Sequence, residues 1–338
     1  MRTPIDTSNW AVSLPKSMRK LLLAAAAALL CAIMTVAAAE PKKIVLVAGT
    51  VSHGAGEHEF NAGCLLLKKC LDQVPGVRPI VHLNGWPQDE SIFDGAAAIF
   101  IYADGGGGHP AIQDDHLQRL GKLMDRGVGL ACAHYAVEVP KEKGGPEFLK
   151  WIGGYFETYY SVNPTWTADF KELPRHPITR GVHPFKINDE WYYHMRFAEG
   201  MRGVTPILTA VPPDSTRGKP GANDSHGGNP DVQKHMGEPE HVAWAFERPN
   251  GGRGFGFTGG HFHRNWGDDN FRRIVLNAIL WVAKIDVPAN GVESVFTAED
   301  LQKNLDSKNE KKNKAAAAPG LTAPTAEPFV SPTAGEKK

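Results

Sequence analysis

The chain has 338 residues, its 37 Lys+Arg balance 37 Asp+Glu, and its composition is 42% hydrophobic and 22% charged. That is the range of an ordinary globular chain, and the neutral balance excludes a nucleic-acid binder that works through a basic field. Four cysteines without CxxC spacing (Cys31, Cys64, Cys70, Cys132) argue against a disulfide scaffold or a cysteine zinc module.

Residues 1–39 read as a secretory signal peptide. Arg19 and Lys20 precede an apolar run, Leu21 to Val36, that ends in Ala37-Ala38-Ala39 before Glu40. Positive flank, apolar core and small-residue cleavage site are the marks of an export leader. The run, about 16 residues, is short for a membrane span, so no span is expected after cleavage. The polar stretch before Met18 suits no such leader, which makes Met18 a candidate start. Leu30 before Cys31 argues against a lipoprotein site. A periplasmic or secreted chain is therefore expected, with its folded part in residues 40–306. Residues 307–338, rich in Ala, Pro, Lys and Thr, read as a low-complexity tail that cannot bury enough apolar surface to offset its ordering entropy.

Between these ends, strands and helices alternate. Lys43–Gly49 is an apolar run of the buried parallel-strand type. After the loop Thr50–Glu57, Phe60, Cys64, Leu67 and Leu71 recur at helical spacing. Arg78–Leu83 and Ala96–Ala103 are the next strands, the latter running into Asp104 and four glycines. Asp114 or Asp115 can cap a helix with Leu117, Leu120 and Met124 on one face. Gly127–Ala133 is a fourth strand and delivers His134 at its end. This rhythm predicts a doubly wound, mostly parallel α/β sheet with helices on both faces. Further on, Trp166–Leu173, Pro206–Val211, His241–Glu247 and Arg253–Phe257 read as strands. Phe271, Ile274, Val275, Ala278, Ile279 and Val282 mark an amphipathic helix capped by Asp268 or Asp269.

Ligands of open α/β sheets bind outside the carboxyl ends of the strands. Those ends carry His53, Glu57, His58 and Glu59; Asp104, Gly105–Gly108 and His109; His134 with Glu138 one turn on; and His261 and His263. An intervening aromatic segment adds Asp189, Glu190, Tyr192 and His194. His53, His134, His261 and Glu190 are the expected catalytic set, with Asp104, Glu138, Tyr192, His194 and Trp266 as substrate contacts. Imidazoles with carboxylates can hold a divalent ion such as zinc, for which His53, His134, His261 and His263 are the candidates. The same groups can instead work as a metal-free acid/base pair. His261-x-His263 can place both rings on one side of a strand, whereas His53 and His58 straddle a loop where spacing says little. The four glycines could cradle an anion, but they lack the Lys-Ser/Thr of a P-loop. The aromatics Tyr155, Phe156, Tyr159, Tyr160, Trp166, Trp191, Tyr192, Tyr193 and Trp266 suit either stacking on sugar rings or plain core.

Five segments in order carry a resemblance: SHGAGEHEF (52–60), CAHYAVEVP (132–140), HPITRG (176–181), INDEWYYHMRF (187–197) and the run from Gly252 to Trp281. Together they resemble the trehalose-utilisation (ThuA-like) family over roughly residues 42–285. The resemblance implies a flavodoxin-like fold related to the class I glutamine amidotransferases. Their nucleophilic cysteine occupies the sharp turn where this chain has His134, while Cys132 lies two residues earlier inside the strand. Thiol chemistry, and with it glutamine amidotransfer, is therefore expected to be absent. The resemblance also implies sugar utilisation and keto-sugar intermediates. Two readings follow: a sugar-processing isomerase, lyase or hydrolase acting on a disaccharide or its keto derivative, or a non-catalytic carbohydrate-binding or scaffold protein of the same fold. The sequence leaves homo-oligomer formation open.

Overall fold

The computed structural model describes Pro15, residues 40–222 and residues 224–308. Apart from Pro15, the expected leader, and all of the expected tail beyond Lys308, lie outside the described residues. From Pro41 the chain builds one unit around a seven-stranded sheet.

Five strands run parallel: β1 (Lys42–Ala48), β2 (Val77–His82), β3 (Ala96–Tyr102), β4 (Gly129–Ala133) and, far along the chain, β11 (Arg253–Phe257). Their spatial order is β2-β1-β3-β4-β11, the flavodoxin-like order. Two strands extend it antiparallel, β10 (Glu240–Glu247) on β11 and β9 (Val204–Ala210) at the edge. The short pairs β5 (Gly154–Tyr155) with β8 (Arg196–Phe197), and β6 (Thr165–Phe170) with β7 (Phe185–Glu190), stand outside this sheet.

Successive side chains of a strand point to opposite faces, and β1 shows what that does here. Ile44, Leu46 and Ala48 enter one core, and Val45 and Val47 the other. The first core takes helix α1 (Phe60–Leu71) and the long helix α5 (Asp269–Val282). The second takes α2 (His116–Asp125) and α3 (Gly145–Trp151). Both faces of the sheet are thus covered. The periodic helix predicted from Phe271 is α5, and Asp268 caps it by accepting from the Phe271 N–H at 2.9 Å, a contact worth about 1 kcal/mol. Two shorter helices, α4 (Pro230–Lys234) and α6 (Ala298–Gln302), complete the described elements with several single turns of 3-10 helix. Among the described residues no helix is long and apolar enough to cross a membrane.

Packing does not stop at the expected boundary of residue 306. Beyond α6 the chain returns to the loop between β1 and α1. There the buried Lys308 ammonium donates to the carbonyls of Glu57 and His58 and pairs with Glu59 Oε1 at 3.2 Å. The Asp306 N–H donates to Glu59 Oε2 at 2.8 Å. The last described residues therefore clasp the loop that carries His58.

Candidate functional site: a three-histidine, one-carboxylate centre

At the carboxyl edge of the sheet four side chains converge from four separate places. His58 comes from the β1 loop, His134 from the end of β4, Glu190 from the end of β7 and His261 from the loop after β11. His58 Nε2 lies 2.9 Å from His134 Nε2 and 3.0 Å from His261 Nδ1. Glu190 Oε2 lies 3.2 Å from His261 Nδ1 and 3.6 Å from His134 Nε2.

The backbone sets this up. The chain turns sharply after β4, and His134 sits at φ 55°, a left-handed conformation that a non-glycine residue rarely adopts and that clusters at functional sites. His58 is also left-handed, at φ 46°. The loop carrying His261 is pinned by Asp189, a fully buried carboxylate. It accepts from the N–H groups of Gly260 (2.8 Å) and His261 (3.1 Å) and from Asn265 Nδ2 (3.0 Å). Burial raises the Asp189 carboxyl while these donors pull it back down. Asp189 is thus the positioning residue for His261, one place before Glu190 in the sequence.

The outer nitrogens fix the tautomers. His134 Nδ1–H donates to the Thr258 carbonyl at 2.9 Å, a group that can only accept. His58 Nδ1–H donates to Asp104 Oδ1 at 3.0 Å, with Ser52 Oγ donating to the same oxygen at 2.9 Å. With both Nδ1 atoms committed, the Nε2 lone pairs of His58 and His134 face each other at 2.9 Å. Burial, reinforced by the neighbouring imidazoles, holds both rings well below the usual histidine range, so neither carries a second proton. For His261 burial acts in the same direction, but its hydrogen bond and charge contact with Glu190 outweigh it and leave its pKa raised.

Converging lone pairs of this kind fit a cation. Ligands about 2.0–2.2 Å from a tetrahedral zinc stand roughly 3.3–3.6 Å apart; the four separations run from 2.9 Å, somewhat tighter than that, to 3.6 Å at its upper end. The Asp104–His58 contact is the carboxylate–histidine arrangement that orients a metal-bound imidazole. Exposure is graded across the centre: His134 is fully buried, Glu190 is 20% exposed and His53 is 40% exposed.

The structure brings together His134, Glu190 and His261 of the expected set, and puts His53 beside them rather than among them. The His53 ring stacks on His58 with centroids 3.5 Å apart, and its Nδ1 is 3.8 Å from Asp104. His58, which loop spacing left unassigned, takes the inner place. Asp104 holds His58, and the Tyr192 hydroxyl is 3.5 Å from His134 Nε2. Three other expectations are corrected. His263 is not a ligand: the chain leaves strand geometry after Phe257, and His263 turns away to Leu301, whose carbonyl it meets at 2.9 Å. His194 is drawn off by Glu240, 3.5 Å away. Trp266 is fully buried, packed on Tyr102 and Phe271. Glu138 lies just outside the centre, buried, with one carboxylate oxygen taking a long hydrogen bond from Thr158 and the other 3.6 Å from His226. Trp166, Trp191, Tyr192 and Tyr193 are buried as well, so these aromatics are core and offer no open ring face. Cys132 is buried within β4, where desolvation pushes its thiol pKa up, opposite to the shift a nucleophilic thiol needs.

Fold and site together define a flavodoxin-like α/β protein with a histidine-rich centre at the strand ends and no reactive thiol in the elbow. Its fold is similar to those of two ThuA-like proteins of known structure. One is from Bacteroides uniformis, with 18% identity, 73% of this chain and 93% of that chain covered, and a TM-score of 0.52. The other is from Parabacteroides merdae, with 15% identity, 76% and 93% covered, and a TM-score of 0.50. No curated protein matches the chain. The model of the ThuA family, trehalose utilisation, matches residues 90–282, and the chain belongs to that family.

Proposed function

We propose that the protein is a metal-dependent enzyme, exported by its leader, that acts on a disaccharide or keto-sugar. The observation that carries this reading is the facing lone pairs of His58 and His134 at 2.9 Å, with His261 and Glu190 closing the set. His58, His134, His261 and Glu190 would hold the ion, zinc by the preference of imidazole-rich sites. A bound divalent ion supplies Lewis-acid polarisation of a carbonyl or hydroxyl oxygen.

The remaining chemistry belongs to the chain itself. Burial, with the charges of Glu190 and Glu138, holds the Tyr192 hydroxyl well above its ordinary range. It therefore stays protonated and donates toward a substrate oxygen beside His134. His53, at the open edge and next to Asp104, is placed to take or return a proton on a carbon next to a sugar carbonyl. Proton transfer of this kind serves an isomerase or a lyase, and activation of water serves a hydrolase. Burial of Trp166, Trp191, Tyr193 and Trp266 removes much of the aromatic surface on which the non-catalytic binding reading rests.

The test is incubation of the purified full chain with a panel of disaccharides and their 3-keto forms, with and without chelator. Turnover that chelator abolishes and added zinc restores is the expected result. Turnover indifferent to chelator would replace the metal reading with a metal-free acid/base pair. No turnover together with no bound metal would end the enzyme reading.

A further inference from the structure

Beside the histidine centre lies a second recess. It opens where the order of parallel strands reverses between β1 and β3, the place at which open α/β sheets take ligands. Its volume is about 260 Å³, just under the roughly 300 Å³ at which pockets for drug-sized molecules begin. One small ring fits; a dinucleotide does not. Trp86 and Pro110 supply apolar wall, and Asn84, Asp104, Gln113 and His116 supply polar groups. No lysine or arginine lines it, which argues against a phosphate or a carboxylate ligand.

The polar groups are held but not used up. Trp86 is fixed by its indole N–H, which donates to Glu90 at 2.7 Å, and by stacking on His116 at 4.7 Å. His116 Nδ1–H donates to the Pro110 carbonyl at 2.7 Å, which leaves Nε2 as an acceptor. Asn84 gives its amide oxygen to Asn61, and its NH₂ takes no partner among the described residues. Asp104 uses Oδ1 for His58 and Ser52, and its other oxygen is likewise free among the described residues. An apolar wall of Trp86 and Pro110, with acceptors on His116, Asp104 and Gln113 and a donor on Asn84 unused among the described residues, is the chemistry of a neutral polyol ring, which has apolar C–H faces and a rim of hydroxyls.

We infer that this recess is a binding subsite for one pyranose ring of the substrate, next to the histidine centre and joined to it through Asp104. The inference rests on the sugar reading above and specifies where the non-reacting ring sits. A ring of about twelve heavy atoms bound at ordinary ligand efficiency reaches a Kd of about 1 mM.

The test is calorimetric titration of the zinc-treated full chain with D-glucose and with trehalose, with tryptophan fluorescence as a second readout. Two variants accompany it. Trp86→Ala removes the wall. Gly108→Phe adds bulk to the lining of the recess, at a position where an added Cβ meets nothing within 4 Å. Saturable glucose binding that both variants weaken at least tenfold, with zinc affinity unchanged, is the expected result. Glucose binding that neither variant alters, or no saturable binding, overturns the subsite. Chelator-sensitive turnover without glucose binding would keep the enzyme and remove the subsite. Variant-sensitive glucose binding without turnover of any sugar would keep the subsite and remove the enzyme.

Discussion

Asp104→Ala is the most informative single change at the centre. In the wild-type chain its Oδ1 receives His58 Nδ1–H at 3.0 Å and so presents the His58 Nε2 lone pair inward. A ligand that binds only the folded state stabilises it by RT ln(1 + [L]/Kd), about 2.7 kcal/mol at a hundredfold excess over Kd. For a domain of this size each kcal/mol moves Tm by about 2–4 °C. Zinc at that excess should raise the wild-type Tm by about 5–11 °C over the chelated protein. Losing the partner of a metal-bound imidazole typically costs 10–100-fold in affinity. At the same free zinc the variant then retains only about 0.4–1.4 kcal/mol, a rise of ~1–6 °C. Scanning calorimetry at buffered free zinc, each protein against its own chelated baseline, reads the difference. A wild-type transition that zinc leaves in place would refute the metal centre. Equal zinc responses in the two proteins would refute the role given to Asp104.

Three further outcomes follow from contacts already described. Cys132→Ser should leave turnover unchanged and cost about 1–3 kcal/mol for a hydroxyl buried in an apolar strand; inactivation of the folded wild type by a thiol reagent at Cys132 would contradict it. Burial pushes His109 down to about 4, so the unfolded chain binds a proton below pH ~6.5 that the folded chain refuses. Stability is therefore lost as pH falls from about 6.5 toward 4, with His109 contributing a loss of about 2 kcal/mol by pH 5; equal urea midpoints at pH 7 and pH 5 in excess chelator would disprove it. Lys308→Met strands the buried Glu59 carboxylate and should cost about 3–5 kcal/mol, most of it recovered in the Lys308→Met/Glu59→Gln double variant; urea midpoints of the three proteins decide, and a single variant as stable as wild type would sink the clasp.

The parallel half of the fold was legible because its strands are uninterrupted apolar runs. Ile44–Val47 reads as a strand buried on both faces, and the 3.6-residue spacing from Phe271 reads as a helix whichever partner it packs on. His134, at the end of such a run, could be placed from the sequence because the strand's register fixes it. His58 could not. It sits in a loop whose path depends on a bridge between Glu57 and Phe262, some two hundred residues away, and no local spacing encodes that. A usable signal was its place two residues before Phe60, since the first turn of α1 opens at the carboxyl edge of the sheet. Asp189, named beside Glu190, could be given no role for a related reason. An acidic residue beside a glutamate reads as solvated charge until the N–H groups of Gly260 and His261 and the Asn265 amide, all from a distant loop, are seen to converge on it. The aromatics left two readings open, because composition cannot distinguish a ring that faces substrate from one that fills the core, and most of them fill the core.

The clasp of Lys308 over the His58 loop bears on how the centre comes into being. Loop and clasp lie 250 residues apart, so the loop is made early and its cover very late. His134 follows His58 by 76 residues and His261 by 203, so the three rings are all made before the lysine that caps the loop. The set of contacts around His58 is complete only once the chain has been made as far as Lys308. For a chain exported and metal-bound as proposed above, a centre completed this late would take its ion from the supply on the far side of the membrane, and not from the pool of the compartment in which the polypeptide was made.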